Sequence, residues 1–254
     1  MTTGIEWTDA TWNPITGCTK ISEGCRNCYA ERMARRLAGR HGYPEAPHHF
    51  DVTLHPDKLD QPLRWKKPRK VFVCSMGDLF HRDLDDWDDI FPILSMCKEA
   101  RQHTFLILSK RAERMKKIVD VWYVFNHEYM PWPNIWLGTS TENQEQADKR
   151  IPDLLLTPAA ARFVSVEPML GAVDMRWYLG TGELLSQHYL DWVIIGCESG
   201  PNRRPMELEW ALDLVRQCDA AQVPVFVKQL SIDGRVSHDP TEWPAELQRR
   251  EYPK

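Results

Sequence analysis

The sequence predicts an α/β protein in which about six or seven parallel strands alternate with helices and curl into a full or partial barrel. Short apolar runs of the β type recur at intervals of about 30 residues, the length of one strand-helix unit. Each run is almost continuously apolar, as in a parallel sheet that is covered on both faces. An open doubly wound sheet is the alternative for such a series, and we expect the barrel.

The first strand is expected near residues 11–16, and six apolar runs follow it. They are residues 71–75 (VFVCS), 105–109 (FLILS), 135–138 (IWLG), 162–166 (RFVSV), 192–196 (WVIIG) and 223–227 (VPVFV). Two intervening segments carry apolar residues at helical spacing, at 86–102 and 207–221. The alternation of strand and helix is the pattern of a parallel βα series.

The length of 254 residues fits one large domain. We expect the barrel over residues 1–230, a loop-rich insertion near 38–70, and an irregular extension at 231–254 that closes the barrel. No apolar run approaches the roughly 20 residues that span a membrane, and the polar start lacks a signal-peptide core. An odd number of cysteines, 7, argues against a disulfide framework. The sequence therefore predicts a cytoplasmic protein without membrane contact.

Three cysteines crowd into the segment GCTKISEGCRNCYA, residues 17–30. Cys18, Cys25 and Cys28 have the spacing C-x6-C-x2-C, and three thiolates on one loop suit a metal. On a cubane [4Fe-4S] cluster they leave one iron open for a small molecule. The loop follows the first predicted strand, at the end of a βα barrel where active sites form, which favours the cluster.

Zinc is the alternative metal for the triad. A structural zinc site needs a fourth protein ligand, and the histidines that follow could provide it: His41, His48 and His49. The chain would then be a zinc-stabilised nucleic-acid-binding or adaptor protein without catalysis. An electron-transfer or sensor protein with a cluster but no cofactor cleavage is a third interpretation.

The triad and its preface, IEWTDATWNPITGCTKISEGCRNCYAE, together with SMGDLF, SKRAERM, VSVEP, GCESG and VKQL, resemble a three-cysteine family of bacteriophage and bacterial proteins. That family is similar to radical S-adenosylmethionine enzymes and, among them, to spore photoproduct lyase. The resemblance covers residue 4 to about residue 230. It implies a radical S-adenosylmethionine barrel with a [4Fe-4S] cluster on Cys18, Cys25 and Cys28. S-adenosylmethionine would bind the fourth iron, and an electron donor would drive its cleavage to a 5′-deoxyadenosyl radical.

Two departures from that superfamily stand out. Its usual spacing is C-x3-C-x2-C, whereas the first gap here holds six residues. The Gly-Gly-Glu that holds the methionyl amine is replaced by SMGDLF, so either Asp78 or the backbone of Ser75 and Met76 is expected to serve instead. The resemblance implies a nucleic acid base or modified nucleotide as substrate, such as a hypermodified thymine of phage DNA.

Polar residues follow the predicted strands and would converge at one rim of a barrel. The candidates to bind the cofactor are Ser75, Asp78, Ser109, Lys110, Thr139, Ser140, Glu142, Asn143, Glu167 and Glu198. Carboxylates that follow apolar runs need partners, which Lys110, Arg111 and Lys228 could supply. The candidate catalytic residues are Lys228 and two possible hydrogen donors, Cys197 and Tyr29. Helix capping or ordinary loop polarity is the alternative for each rim residue.

Two basic stretches are candidates to bind the phosphates of DNA or of a modified nucleotide. The first is Arg32, Arg35, Arg36 and Arg40, and the second is Lys66, Lys67, Arg69 and Lys70. With a net charge of −4 the chain has no general attraction for nucleic acid, so contact depends on such local patches. The alternative is a solvated helix with ion pairs to Glu31 or Asp51.

Overall fold

The computed structural model describes residues 4–126, 131–180 and 188–253, and one large sheet forms its centre. Seven parallel strands make up this sheet, and an eighth strand pairs antiparallel at one edge. The strands are β1 (Ala10–Trp12), β2 (Ile15–Thr16), β3 (Thr53–Leu54), β4 (Lys70–Val73), β5 (Thr104–Ser109), β6 (Ile135–Ser140), β7 (Ala161–Val166), β8 (Trp192–Gly196), β9 (Val225–Ile232) and β10 (Arg235–Ser237). The predicted mixed α/β class with a parallel sheet is confirmed.

The strand order is β1-β4-β5-β6-β7-β8-β9-β10, so each strand of the sheet lies beside the one before it. A doubly wound sheet would reverse direction at a switch point, and this order contains none. The short strands β2 and β3 form a separate antiparallel pair. The segment expected to be the first strand is therefore divided, and only β1 joins the large sheet.

The helices are α1 (Tyr29–Leu37), α2 (Phe91–Glu99), α3 (Ala112–Phe125), α4 (Gln144–Leu156) and α5 (Leu208–Ala221). The predicted helix at 86–102 is a π-helical turn, Asp86–Ile90, followed by α2. Asp85 caps that turn by accepting hydrogen bonds from the amides of Trp87 and Asp88. The predicted helix at 207–221 matches α5 closely.

The two faces of the sheet bury different sets of side chains. On β5, Phe105 and Ile107 belong to a cluster shared with helices α2 to α5, which we call the outer cluster. Leu106, the next residue, belongs to a second cluster on the opposite face. The members of this inner cluster are Trp7, Leu106, Phe163, Trp192, Ile194 and Phe226. Helices α2 to α5 cover one face, whereas the other face packs around Trp7, which precedes β1.

Ring contacts around Trp7 show that the sheet curls. The ring centroids of Phe72 on β4 and Trp192 on β8 lie 4.7 and 6.1 Å from the Trp7 ring. On a flat sheet these strands, four positions apart, would be separated by about 19 Å. The amino ends of the strands therefore curl around the aromatic rings of the inner cluster, which we call the aromatic plug. The edge strands β1 and β10 are not paired with each other in the described part of the chain, so the curled sheet stays open.

The C-terminal extension covers the amino end of the inner face. The amide of Glu251 donates to the carbonyl of Val225 (2.9 Å), and Tyr252 packs on Trp192 with 5.3 Å between ring centroids. Lys70, at the start of β4, places its ammonium 4.0 Å from the Tyr252 ring centroid. The last residue of the expected extension, 254, lies outside the described residues.

The expected insertion at 38–70 contains β3 and two short 3₁₀ helices, Pro56–Lys58 and Gln61–Arg64. Its first part packs beside the cysteine segment, as the amide of Cys18 donates to the carbonyl of Phe50 (3.2 Å). Across the described residues we find no helix whose length and apolar character would let it cross a membrane.

Candidate functional site

The cysteine loop, residues 18–28, begins where the chain leaves β2. Gly17 forms a bridge with Gly77, which follows β4, and has a positive φ of 86°. A Cβ on Gly17 would lie 2.1 Å from the Asp51 carbonyl oxygen, so only glycine fits there. The three cysteines are free, partly exposed thiols, and Cys28 is the N-cap residue of α1.

Residues that follow three different strands hold the cysteine loop. Because these strands are parallel, their carboxyl ends meet at one edge of the sheet. The contacts are Arg111 Nη1 donating to Cys18 Sγ (3.3 Å), the Gly24 amide donating to Glu142 (3.1 Å) and the Asn27 side chain donating to Glu198 (2.9 Å). The loop therefore lies across the carboxyl edge of β5, β6 and β8.

Arg111 is fixed against Cys18 by further hydrogen bonds, and its side chain is only 10% exposed. It donates to Asp78 (2.7 Å) and to the carbonyl and hydroxyl oxygens of Thr19 (3.0 Å each). Asp78 also accepts from the Ser109 hydroxyl (2.7 Å). Burial and the Asp78 carboxylate raise the pKa of Cys18 to about 11, against the lowering effect of Arg111.

Glu142 anchors the middle of the loop as half of a buried ion pair with Arg150. The Arg150 guanidinium donates to Glu142 (2.9 Å) and to the Ser140 carbonyl (2.7 Å), and the Glu142 side chain is 0% exposed. Burial raises the pKa of Glu142, but a hydrogen bond from Ser22 and the charge of Arg150 outweigh it, so the pKa is lowered. Glu142 is thus a buried carboxylate that supports the loop.

Glu198 anchors the end of the loop through Arg204. The Arg204 Nε donates to Glu198 (3.0 Å), and its backbone amide donates to the same carboxylate (2.8 Å). Burial raises the pKa of Glu198, and the hydrogen bonds from Arg204 and Asn27 lower it further than burial raises it. Asn27 thus connects the end of the loop to the segment that follows β8.

Below the loop, the carboxyl half of the inner face is polar. Lys228 lies two residues after Phe226, on the same inner face of β9, and it forms an ion pair with Glu167. Lys110 continues the alternation of Leu106 and Leu108 on β5. A Cβ on Gly196 would lie 3.2 Å from the Glu167 carboxyl carbon, so this glycine leaves room for that side chain. Opposite charges therefore sit above the aromatic plug and beneath the cysteines.

Lys110 acts on the second cysteine of the triad. Burial raises the pKa of Cys25, but the charge of Lys110 and hydrogen bonds from the backbone at Ile21 and Ser22 outweigh it, so the pKa is lowered. Cys25 is therefore more readily a thiolate than Cys18 in the metal-free chain. Consecutive cations at the end of β5, Lys110 and Arg111, each act on a different cysteine.

The sequence profile of a family described as "Protein of unknown function (DUF5131)" matches residues 2–248. The chain belongs to the DUF5131 family. Neither curated proteins nor solved structures give a significant match. The DUF5131 match includes the cysteine loop, the whole parallel sheet and most of the C-terminal extension.

Other candidate site residues of this DUF5131 chain have local roles. Thr139 donates its hydroxyl to the Ser109 carbonyl (2.8 Å), and Asn143 caps α4 by accepting from the Gln146 amide (3.1 Å). Ser75 donates to Asn13 (3.2 Å). Asp78 accepts one hydrogen bond from Ser109 and one from Arg111, so each of its carboxylate oxygens has a protein partner.

The two candidate hydrogen donors are placed differently. Cys197 is 1% exposed and belongs to the outer cluster, and burial raises its pKa to about 12. Its side chain is therefore on the face turned away from Lys228. Tyr29 is 45% exposed at the first position of α1, beside Cys28. Of the two, Tyr29 lies at the cysteine loop.

The two basic stretches lie at different ends of the DUF5131 fold. Helix α1 packs on the loop after β8. The approach is so close that a Cβ on Gly200 would lie 1.9 Å from Arg32 Nη1. The second stretch precedes β4 at the amino end of the sheet, where Arg69 stacks on Trp65 (4.8 Å). They do not form one surface, and only α1 borders the cysteine loop.

The three cysteines supply the thiolate ligands that an iron-sulfur cluster uses, each at a different iron. In the described chain, no group of three or more Cys, His, Asp or Glu side chains is arranged to hold a metal ion. A groove of about 420 Å³ opens beside Cys18 and Thr19, between residues 50–54 and 83–89. It gives a small molecule access to the loop.

Proposed function

We propose that this DUF5131 chain is a radical S-adenosylmethionine enzyme that holds a [4Fe-4S] cluster on Cys18, Cys25 and Cys28. One observation carries the proposal. Three free thiols lie on a single loop that is held across the carboxyl edge of a curled parallel sheet by Arg111, Glu142 and Glu198. Active sites of βα folds form at this edge, and a three-thiolate cluster has an open iron there.

The sheet supports the same proposal. It has seven consecutive parallel strands with helices on the outer face, and it curls around Trp7 without closing. Such a curled parallel sheet is compatible with the partial barrel that the resemblance to radical S-adenosylmethionine enzymes implies. The amino end is filled by aromatic rings and covered by Tyr252, so that end of the inner face is closed to a ligand.

Bound at the triad, the cluster would supply the single electron that cleaves S-adenosylmethionine. The chain's own residues would bind and orient the S-adenosylmethionine. Lys228 and Glu167 form an ion pair on the inner face, and a methionyl group carries the matching carboxylate and ammonium. The pair would exchange its internal contact for the two charges of the ligand. The apolar floor of Leu106 and Ile194 excludes water below it.

The substrate we propose is a nucleic acid base or a modified nucleotide, guided by the arginines beside the cysteine loop. In the ranges that the structure describes, Arg26, Arg35, Arg36 and Arg40 form no ion pair, whereas Arg114, Arg150, Arg204, Arg216, Arg235 and Arg249 do. Unpaired arginines on one side of a site attract phosphate.

Arg35→Gln together with Arg36→Gln should weaken binding of a single-stranded oligonucleotide. For two lost phosphate contacts, the slope of log affinity against log salt should fall by about 1.4. Fluorescence anisotropy at several salt concentrations measures both quantities. The matched control is Arg216→Gln on α5, an exposed arginine paired with Glu209 on the outer face. An unchanged slope in the double variant would show that α1 does not bind the phosphates.

The reaction type is tested by incubating anaerobically reconstituted protein with dithionite and S-adenosylmethionine. We expect 5′-deoxyadenosine, detected by chromatography and mass spectrometry. Cluster-loaded protein that forms none would be an electron-transfer or sensor protein instead. Protein that holds one zinc, without iron or acid-labile sulfide, would be the zinc-stabilised binding protein.

A further inference from the structure

We infer that Arg111 sets the reduction potential of the cluster at the triad, by its hydrogen bond to Cys18 and by its charge. The inference rests on the proposed function. Arg111 Nη1 lies 3.3 Å from Cys18 Sγ, and Nη2 is held by both oxygens of Thr19 (3.0 Å each). With four hydrogen bonds and a side chain 10% exposed, the guanidinium is fixed in place beside the first cysteine.

Asp78 places a negative charge beside the positive charge of Arg111, and its effect on the cluster should be opposite. Its carboxylate accepts from Arg111 Nη1 (2.7 Å), from the Ser109 hydroxyl (2.7 Å) and from the Phe80 amide (3.0 Å). It has no hydrogen bond to a cysteine in the described structure, so it acts on Cys18 through its charge. The Thr19 hydroxyl is held in turn by His81 (2.8 Å). Residues from the ends of β4 and β5 thus place one positive and one negative charge near the same sulfur.

The two charges should move the potential in opposite directions. Reduction adds one negative charge to a cluster, so a neighbouring cation and an N–H···S hydrogen bond favour the reduced form. A neighbouring carboxylate favours the oxidised form. Because Arg111 and Asp78 are both largely buried, solvent and salt screen them weakly. Loss of packing alone would not produce shifts of opposite sign.

The test is a redox titration of the reconstituted full-length protein, followed by EPR in the absence of S-adenosylmethionine. Arg111→Met should lower the midpoint potential, so that at the wild-type midpoint the ratio of reduced to oxidised cluster falls about tenfold. Arg111→Lys, which keeps the charge, should show a smaller decrease. Asp78→Asn should raise the ratio. Arg114→Met is the control, since Arg114 bonds to Leu84 and Asp86 and to no cysteine.

Each outcome decides one of the two proposals. Shifts of the same sign in Arg111→Met and Asp78→Asn, or no shift in either, would overturn the role of Arg111. If Arg111→Met binds no iron, the test rests on the other two variants. A lower midpoint potential in Arg111→Lys and a higher one in Asp78→Asn support the role of Arg111, and any other pair of results overturns it. A wild-type protein without iron and sulfide would instead refute the proposed function, and the inference with it.

Discussion

Replacing Cys25 with alanine should remove the iron-sulfur cluster and reduce 5′-deoxyadenosine formation to background. A [4Fe-4S] cluster with only two protein thiolates has two open irons and loses the ligand set that holds it in the chain. We expect the same result for Cys18→Ala and Cys28→Ala. Iron and acid-labile sulfide analysis and the visible absorption spectrum of anaerobically reconstituted protein measure the effect.

Cys218→Ala is the matched control for the triad. Cys218 is buried on α5 in the outer cluster and is not part of the cysteine loop. Its replacement should leave the iron content and the product yield at the wild-type level. Full iron and sulfide content in Cys25→Ala would contradict the assignment of that cysteine.

Replacing Glu142 with alanine should lower the free energy of unfolding by about 3–5 kcal/mol, because it leaves the buried Arg150 without its partner. The amide of Gly24 also loses its acceptor, so the cysteine loop is no longer anchored at β6. We therefore expect reduced cluster content as well as a lower urea midpoint. Unfolding followed by circular dichroism measures the first effect, and iron analysis the second.

Glu145→Ala is the control for Glu142, since Glu145 is an exposed residue in the first turn of α4. A surface change of this kind is expected to alter stability by less than about 0.5 kcal/mol. Glu142→Gln should fall between the two, because the amide oxygen can still accept from Gly24. Equal urea midpoints for Glu142→Ala and wild type would show that the pair with Arg150 contributes no stability.

The strands were predictable because each is a short apolar run between polar segments. Lys228, Gln229 and Ser231 are polar, so the sequence did not indicate that β9 continues to Ile232. The assignment of residues to the two faces was not predictable either. Both faces are buried, so the runs show no alternation of polar and apolar residues to distinguish inner from outer.

Whether Cys197 could act as a hydrogen donor depends on which face of the sheet its side chain occupies. Along β8 the side chains alternate, so that Trp192 and Ile194 belong to the inner cluster and Ile195 and Cys197 to the outer cluster. A candidate hydrogen donor at a strand end was reasonable from position alone, but its side chain is directed away from the inner face.

The partners of the carboxylates were only partly predictable. The apolar runs before Glu167 and Glu198 predicted buried carboxylates; Glu198 is buried, whereas the Glu167 side chain is 21% exposed. Arg150, the partner of Glu142, and Arg204, the partner of Glu198, were missed because pairing depends on the three-dimensional approach of α4 and of the loop after β8. One signal was present, since Arg150 falls on the apolar face of α4 beside Ala147 and Ile151.

Asp78 shows the limit of assignment by position. It follows β4, where the resembling enzymes hold the methionyl amine, but its carboxylate is bonded to Arg111 and Ser109. The ion pair of Lys228 and Glu167 is the better match for the charges of a methionyl group, because it lies on the inner face. Physical complementarity and sequence position therefore favour different residues here.

An EPR comparison of the reduced protein with and without S-adenosylmethionine tests the central claim most directly. If three cysteines leave one iron open to the inner face, adding S-adenosylmethionine should change the g values of the reduced cluster, and Cys25→Ala should show no cluster signal with or without it. Identical spectra with and without S-adenosylmethionine, or a zinc ion held by the triad and a fourth side chain, would contradict it.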